Sequence, residues 1–170
     1  MNGFHFRRLK SGIWPVYLLL YFGLNSFAQD ASCKAEADAQ QLLMRTPHHT
    51  YSTETGGNHS VLSEDIVLPG GVFWGTGGVW HRSTTSMQAF ARDTADSVKE
   101  LRDCRRISDE AVNGIAATKY TSHNQASGGD ATVWIARGNG LVLKSEARFE
   151  GRLISSRYEY SNVQAPSNVH

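Results

Sequence analysis

The side chains best suited to chemistry in this chain are its cysteines, histidines and acidic pairs. Cys33 and Cys104 are the two cysteines, and an even count favours one structural disulfide if the chain is exported. Such a bridge would close a loop of about 70 residues and contribute roughly 4 kcal/mol through chain entropy. Alternatively, Cys33 carries a lipid, because Ala31 and Ser32 precede it as in a bacterial lipobox, although Asp30 stands where that motif has leucine.

The histidines and carboxylates match no recognisable metal or catalytic pattern. His48, His49, His59 and His81 fit no common metal-ligand spacing, and adjacent acidic residues on a strand point to opposite faces. The sequence lacks G-x-S-x-G, H-E-x-x-H and C-x-x-C motifs, and no helix follows the glycine-rich residues 75–78 as a dinucleotide site requires. We therefore predict a protein that is not an enzyme and has no metal site and no cofactor. A hydrolase is a less favoured alternative.

The N-terminal segment has the three parts of a secretory signal peptide. Three basic residues precede the apolar residues 13–24, and a small residue, Ala28, precedes the expected cleavage site. The apolar segment is shorter than the roughly 20 residues that span a membrane. We expect residues 1–28 to be removed, leaving a single domain at 29–163 and a flexible tail at 164–170 in the periplasm or outside the cell.

The charge balance of the expected mature chain argues against some partners. Without the leader, 14 Lys and Arg face 16 Asp and Glu, and acidic residues interrupt the basic cluster of Arg102, Arg105 and Arg106. Nucleic acids and anionic membranes bind clustered cations, so neither partner is expected. The mature chain is also expected to have no transmembrane span.

Two segments have the composition or periodicity of helices. Residues 33–44 are rich in helix formers, with Ser32 as a candidate cap and Pro47 as the stop. A second helix is predicted within 84–100. The predicted apolar stripe of the first helix is Ala35, Ala39, Leu42 and Leu43.

The rest of the chain alternates short apolar or β-branched segments with glycine turns, which is typical of an antiparallel meander. The predicted strands are residues 50–55, 60–68, 72–80, 101–108, 115–121, 131–136, 141–150 and 152–161. Alternation places Leu141, Leu143, Ala147 and Phe149 on one face, opposite Lys144, Glu146, Arg148 and Glu150. Trp74 and Trp80 share a face by the same rule. These elements predict an α+β fold in which a curved antiparallel sheet surrounds one or two helices.

Four segments in the second half of the chain resemble the LolA-like exported proteins. They are a glycine-containing strand ending in tyrosine at 112–120, a Trp-Ile strand at 133–135, a Gly-Leu hairpin at 140–146 and a Tyr-rich strand closing on Asn-Val at 157–163. The resemblance implies a half-open β-barrel with helices covering its mouth. Members include lipoprotein carriers, lipid-binding proteins and sensor domains, so the fold allows several functions.

The resemblance also implies a concave apolar surface able to hold an acyl chain or a hydrophobic peptide. Candidate lining residues are Trp74, Trp80, Trp134, Phe149 and Tyr158, and the alternative is that they form ordinary core against the helix. We predict a periplasmic, non-catalytic binding protein whose partner is a lipid, an acyl chain, another hydrophobic small molecule or a lipidated protein. The alternative is a protein-interaction module, such as a sensor, chaperone or inhibitor, that binds a polypeptide at an edge strand or the aromatic face.

Overall fold

A computed structural model describes residues 31–170, and the expected signal peptide lies outside the described residues. The helices are α1 (Ala31–Leu43) and α2 (Met87–Ser97), the latter followed by a 3-10 turn (Val98–Glu100). The strands are β1 (His48–Gly56), β2 (His59–Leu68), β3 (Gly71–Thr76), β4 (Val79–Arg82), β5 (Leu101–Val112), β6 (Ile115–Asn124), β7 (Gly129–Ala136), β8 (Val142–Phe149) and β9 (Arg152–Glu159). Within the described residues, neither helix has the length and apolar character needed to cross a membrane.

The strands form one antiparallel sheet whose two edges do not pair with each other. Within residues 31–170, its nine strands lie in the order β4-β3-β2-β1-β9-β8-β7-β6-β5, so β4 and β5 are the edges. The central pair joins β1 to β9, which brings the beginning and the end of the sheet together. A curved, open antiparallel sheet with two helices confirms the predicted α+β half-open barrel. We call the sheet face toward α1 the inner face and the opposite one the outer face.

A disulfide fixes the position of α1 on the sheet. Cys33 is bonded to Cys104 of β5, with Cα atoms 5.0 Å apart, and both residues are buried. The predicted disulfide is therefore confirmed, and a sulfur bonded to Cys104 is not free to carry a lipid. A disulfide also fits an exported protein, because such bonds persist in oxidising compartments.

The buried side of α1 differs from the predicted stripe. Ala35 is only half-buried and Leu42 is 36% exposed, whereas Ala39 and Leu43 are buried as expected. The buried residues of the helix are Cys33, Glu36, Ala37, Ala39 and Leu43. The helix is rotated because Cys33 must face β5, and a residue three positions later lies on the same side. This rotation buries Glu36 against the sheet.

The predicted strand 72–80 is wrong, because the chain reverses within it. Gly77 and Gly78 adopt positive φ values of 60° and 81°, a conformation that glycine reaches without strain, and they join β3 to β4. Trp74 of β3 pairs with His81, whereas Trp80 of β4 pairs with Gly75. The two tryptophans therefore lie on opposite faces, Trp74 on the inner face and Trp80 on the outer face.

A second correction concerns β8. The pairing of β7 with β8 shifts between Trp134 and Ile135, so Ile135 pairs with Val142 and Leu143 is left at the irregularity. Leu143 consequently packs with Trp134 on the outer face, whereas Ala147 and Phe149 lie on the inner face. A strict two-residue alternation does not survive such a shift.

Apolar residues pack on both faces of the sheet. On the inner face, α1 rests on a cluster made of Ala39, Leu43, Val133, Ile135 and Val142. The outer cluster consists of Ala117, Trp134, Ala136 and Leu143. The strongest inner packing thus lies under the C-terminal half of α1, and the N-terminal half spans a less filled part of the barrel.

The second predicted helix is present, but it makes few buried contacts. Ser86 caps α2 by accepting a hydrogen bond from the Ala89 amide at 3.2 Å, as expected for a serine at this position. None of the described residues of α2 is buried, and Phe90 is 39% exposed. Because little apolar area is removed from water, little free energy holds α2 in place.

Candidate ligand-binding site

The larger inner cavity lies between the two helices and the inner face of β6, β7 and β8. It has a volume of about 690 Å³, within the range of small-molecule sites. Its apolar wall includes Val98, Leu101, Val133, Ala147 and Phe149. The small side chains of Ala131 and Ala147, which pair directly across β7 and β8, leave much of this space open.

One buried carboxyl interrupts the apolar wall. The side chain of Glu36 contributes to the cavity wall and is only 2% exposed. Its Oε2 atom accepts a hydrogen bond from the Ser122 hydroxyl at 2.7 Å, whereas Oε1 has no protein partner among the described residues. Burial raises the pKa of Glu36 to about 7, and the Ser122 hydrogen bond opposes part of that rise.

Other charged residues of the cavity are more exposed and mostly paired. The acidic ones are Asp96 and Glu100, whereas Asp130 and Arg148, which pair across β7 and β8, border the cavity with side chains on the outer face. The closest pairs are Asp96 with Lys99 at 2.7 Å, Glu100 with Arg102 at 3.8 Å and Asp130 with His123 at 2.9 Å. Among the carboxyls of this cavity, Glu36 is therefore the one that is both buried and without a cation.

A smaller cavity of about 310 Å³ lies between β1, β2, β9 and the two helices. Thr50, Ser52, Asp65 and Tyr158 contribute polar groups to it, and Gln40 of α1 borders both cavities. Burial raises the pKa of Asp65 and of Tyr158. The larger cavity therefore offers the more apolar surface of the two.

The structure disperses the five aromatic residues predicted to line a binding surface. Phe149 borders the larger cavity and Tyr158 the smaller one. Trp74 is on the inner face of edge strand β3 but is 46% exposed and borders neither cavity. Trp80 and Trp134 lie on the outer face, away from both cavities. The sheet thus brings none of these residues together in one site.

Trp80 instead packs near the C-terminal end of the chain. Its backbone pairs with Val169 in a parallel bridge, and its carbonyl accepts a hydrogen bond from the His170 amide at 2.8 Å. Its ring lies over Gly75, where an added Cβ atom would be 2.9 Å from the indole. The segment predicted as a tail thus contacts edge strand β4 at its end.

Trp134 is held by charged neighbours on the outer face. Its Nε1 donates a hydrogen bond to Glu110 at 2.6 Å, and the ammonium groups of Lys119 and Lys144 lie 4.9 Å and 4.4 Å from the ring centre. These contacts are those of a structural residue.

We predict that Trp134→Phe lowers the free energy of unfolding by about 1–2 kcal/mol, through the lost hydrogen bond and reduced packing. It should leave the binding of any ligand in the larger cavity unchanged. Urea unfolding and a ligand titration on the same preparation test both parts. A loss of binding without a loss of stability would move the site to the outer face.

Sequence reasoning missed the residues that shape the larger cavity. In the sequence, Glu36 lies among the helix formers of residues 33–44, and Ser122 and the paired alanines carry no chemical signal. The spacing from Cys33 to Glu36 was the one available clue, because a disulfide at Cys33 directs the residue three positions later toward the sheet.

Several solved protein structures are similar to this one over most of the chain. The crystal structure of LprF from Mycobacterium bovis matches at 10% identity and a TM-score of 0.51, covering 80% of this chain and 96% of LprF. The lipoprotein LppX from Mycobacterium tuberculosis matches at 15% identity and a TM-score of 0.49, covering 81% of this chain and 100% of LppX. A LolA superfamily protein from Nitrosomonas europaea matches at 8% identity and a TM-score of 0.36, covering 75% of this chain and 91% of that protein. No protein-family model and no curated protein sequence matches the chain.

The class defined by the structure is an open antiparallel half-barrel with a cavity between its sheet and helices. The likeness to LprF, at so low an identity, concerns the fold alone. Together with the strand order, it confirms the open half-barrel fold that the resemblance to the LolA-like proteins implies.

Proposed function

We propose that this chain is an exported, non-catalytic binding protein that holds a lipid, an acyl chain or another hydrophobic ligand in the larger cavity. The supporting observation is the space of about 690 Å³ between helices and sheet, walled largely by apolar side chains. Burial of an apolar ligand there would be favourable by about 25 cal/mol for each Å² removed from water. The ligand would replace solvent along Val133, Ala147 and Phe149.

The loose packing of α2 supports access to this cavity. Thr94 and Ser97 of α2 border it, and none of the described residues of that helix is buried. A helix held by so few apolar contacts can move aside at small cost. The disulfide, in contrast, keeps α1 attached to β5 while a ligand enters.

Partly filling the cavity should weaken binding. In Ala147→Phe, the added ring would occupy the space beside Ala131 and Phe149, so we expect affinity for an apolar fluorescent probe such as N-phenyl-1-naphthylamine to fall at least ~10-fold. The measurement is a fluorescence titration of the folded protein, with circular dichroism to confirm folding.

Ala116→Phe provides the matched control for this variant. Ala116 is an exposed alanine of β6 that borders neither inner cavity. It should bind the probe like the unaltered protein. Equal binding by Ala147→Phe, Ala116→Phe and the unaltered chain would exclude the larger cavity as the site.

The direct test is native mass spectrometry of protein exported to the periplasm, followed by organic extraction of whatever small molecule accompanies it. A stoichiometric lipid or acyl compound would support the proposal. A protein that carries no apolar molecule, and takes up none when lipids are offered, would refute it and favour the protein-interaction alternative.

A further inference from the structure

The larger cavity has one feature that a purely apolar ligand would leave unsatisfied. Glu36 borders the cavity, and its Oε1 atom is buried without a protein partner among the described residues, whereas Oε2 is satisfied by Ser122. An acceptor left unpaired in such a place costs free energy, and a ligand that donates to it recovers that cost. The unsatisfied oxygen therefore favours a ligand that has a hydrogen-bond donor.

The charge of the cavity favours a donor over an acceptor on the ligand. Arg148 also borders the cavity, but it lies between Ala147 and Phe149 on the strand, so its side chain is on the outer face of the sheet. The guanidinium is exposed there, where water solvates it and an anion would gain little. Glu36 is shielded from water, so a partner at its carboxyl is worth more.

The position of Glu36 relative to the apolar wall defines the shape of the ligand. Val133 and Ala147 line the same cavity on the sheet side, and Glu36 faces them from α1. An elongated ligand could lie along the sheet residues while its polar end reaches the carboxyl.

Resting on the proposed function, we propose that the larger cavity selects an amphiphile with an apolar body and a hydrogen-bond-donating head group, an ammonium above all, which donates to Glu36 Oε1. The nearby acidic residues Asp96 and Glu100 add negative charge around the cavity, although each has a basic neighbour. Glu36 is then a specificity-determining residue of the site.

The test is isothermal titration of the exported protein with decylamine, decanol and decanoate, which share one chain and differ in the head group. All are used below the concentration at which they aggregate, at about pH 8, where most Glu36 carboxyls are ionised and the amine is charged. The variants are Glu36→Gln and, as the matched control, Asp38→Asn. Asp38 is an exposed acid on the same helix that pairs with Lys34 outside the cavity.

We expect decylamine to bind at least ~10-fold more tightly than decanoate, as a charge-assisted hydrogen bond implies. The preference should disappear in Glu36→Gln and persist in Asp38→Asn. Equal binding of all three compounds, or a preference that survives Glu36→Gln, would overturn this inference while leaving the proposed function intact. Tighter binding of decanoate that depends on Arg148 would also overturn it. Failure of all three to bind folded protein would overturn the inference, and it would refute the proposed function as well only if the protein also takes up no lipid in the mass spectrometry test.

Discussion

Replacing Cys33 and Cys104 by alanine is expected to lower the free energy of unfolding by about 4 kcal/mol. The bridge joins residues 71 positions apart, so its loss frees a long loop in the unfolded chain. The same change removes the covalent attachment of α1 to β5. The melting temperature should fall by roughly 10–20 °C for a chain of this size. Urea and thermal unfolding, followed by circular dichroism, measure both quantities.

Reduction of the unaltered protein provides the control for this experiment. Treatment with a thiol reductant should bring its stability to that of the double variant, and the reductant should leave the double variant unchanged. A decrease of less than about 1 kcal/mol would mean that the packing of Ala39 and Leu43 on the sheet already fixes α1, and that the bridge adds little.

The fold could be predicted from the sequence because its signals are local. Glycine turns delimit most strands, and the alternation of apolar and polar residues distinguishes strands from the helical segments. The prediction failed where one residue changes the periodicity. Gly77 and Gly78 form a turn inside a segment that has strand composition, and the irregularity beside Trp134 moves Leu143 to the outer face. Neither event changes the composition of its segment.

The site was harder to predict because it depends on which elements face each other. Trp134 and Phe149 have similar apolar character in the sequence, yet only Phe149 borders the larger cavity. Large aromatic residues suggested a binding surface, whereas the cavity owes its volume to small residues such as Ala131 and Ala147. An alanine gives no sign of the space beside it until the opposing helix is placed. The buried face of that helix is in turn set by a disulfide rather than by its hydrophobic pattern.

The Glu36 carboxyl should make the protein less stable as the pH rises. The pKa of this group is raised from 4.5 to about 7 by burial, so the folded state keeps its proton where the unfolded chain has released it. Stability is therefore highest below about pH 4.5 with respect to this group, falls between pH 4.5 and 7, and is lowest above that interval. A shift of this size corresponds to about 3 kcal/mol of lost stability.

Glu36→Gln should remove this dependence, because an amide is neutral at every pH and its oxygen can still accept the Ser122 hydrogen bond. The measured quantity is the difference in unfolding free energy between Glu36→Gln and the unaltered protein, from urea titrations across this pH range. That difference isolates Glu36 from His48 and Asp65, whose pKa values are also shifted by burial.

We expect the difference to increase in favour of Glu36→Gln by about 3 kcal/mol between pH 4.5 and 8. Asp38→Asn, an exposed change on the same helix, should give a flat difference. A flat difference for Glu36→Gln as well would show that water or movement of α1 already solvates the carboxyl. In that case, ionising Glu36 would cost the folded protein no free energy, and a ligand head group would gain little by pairing with the carboxylate.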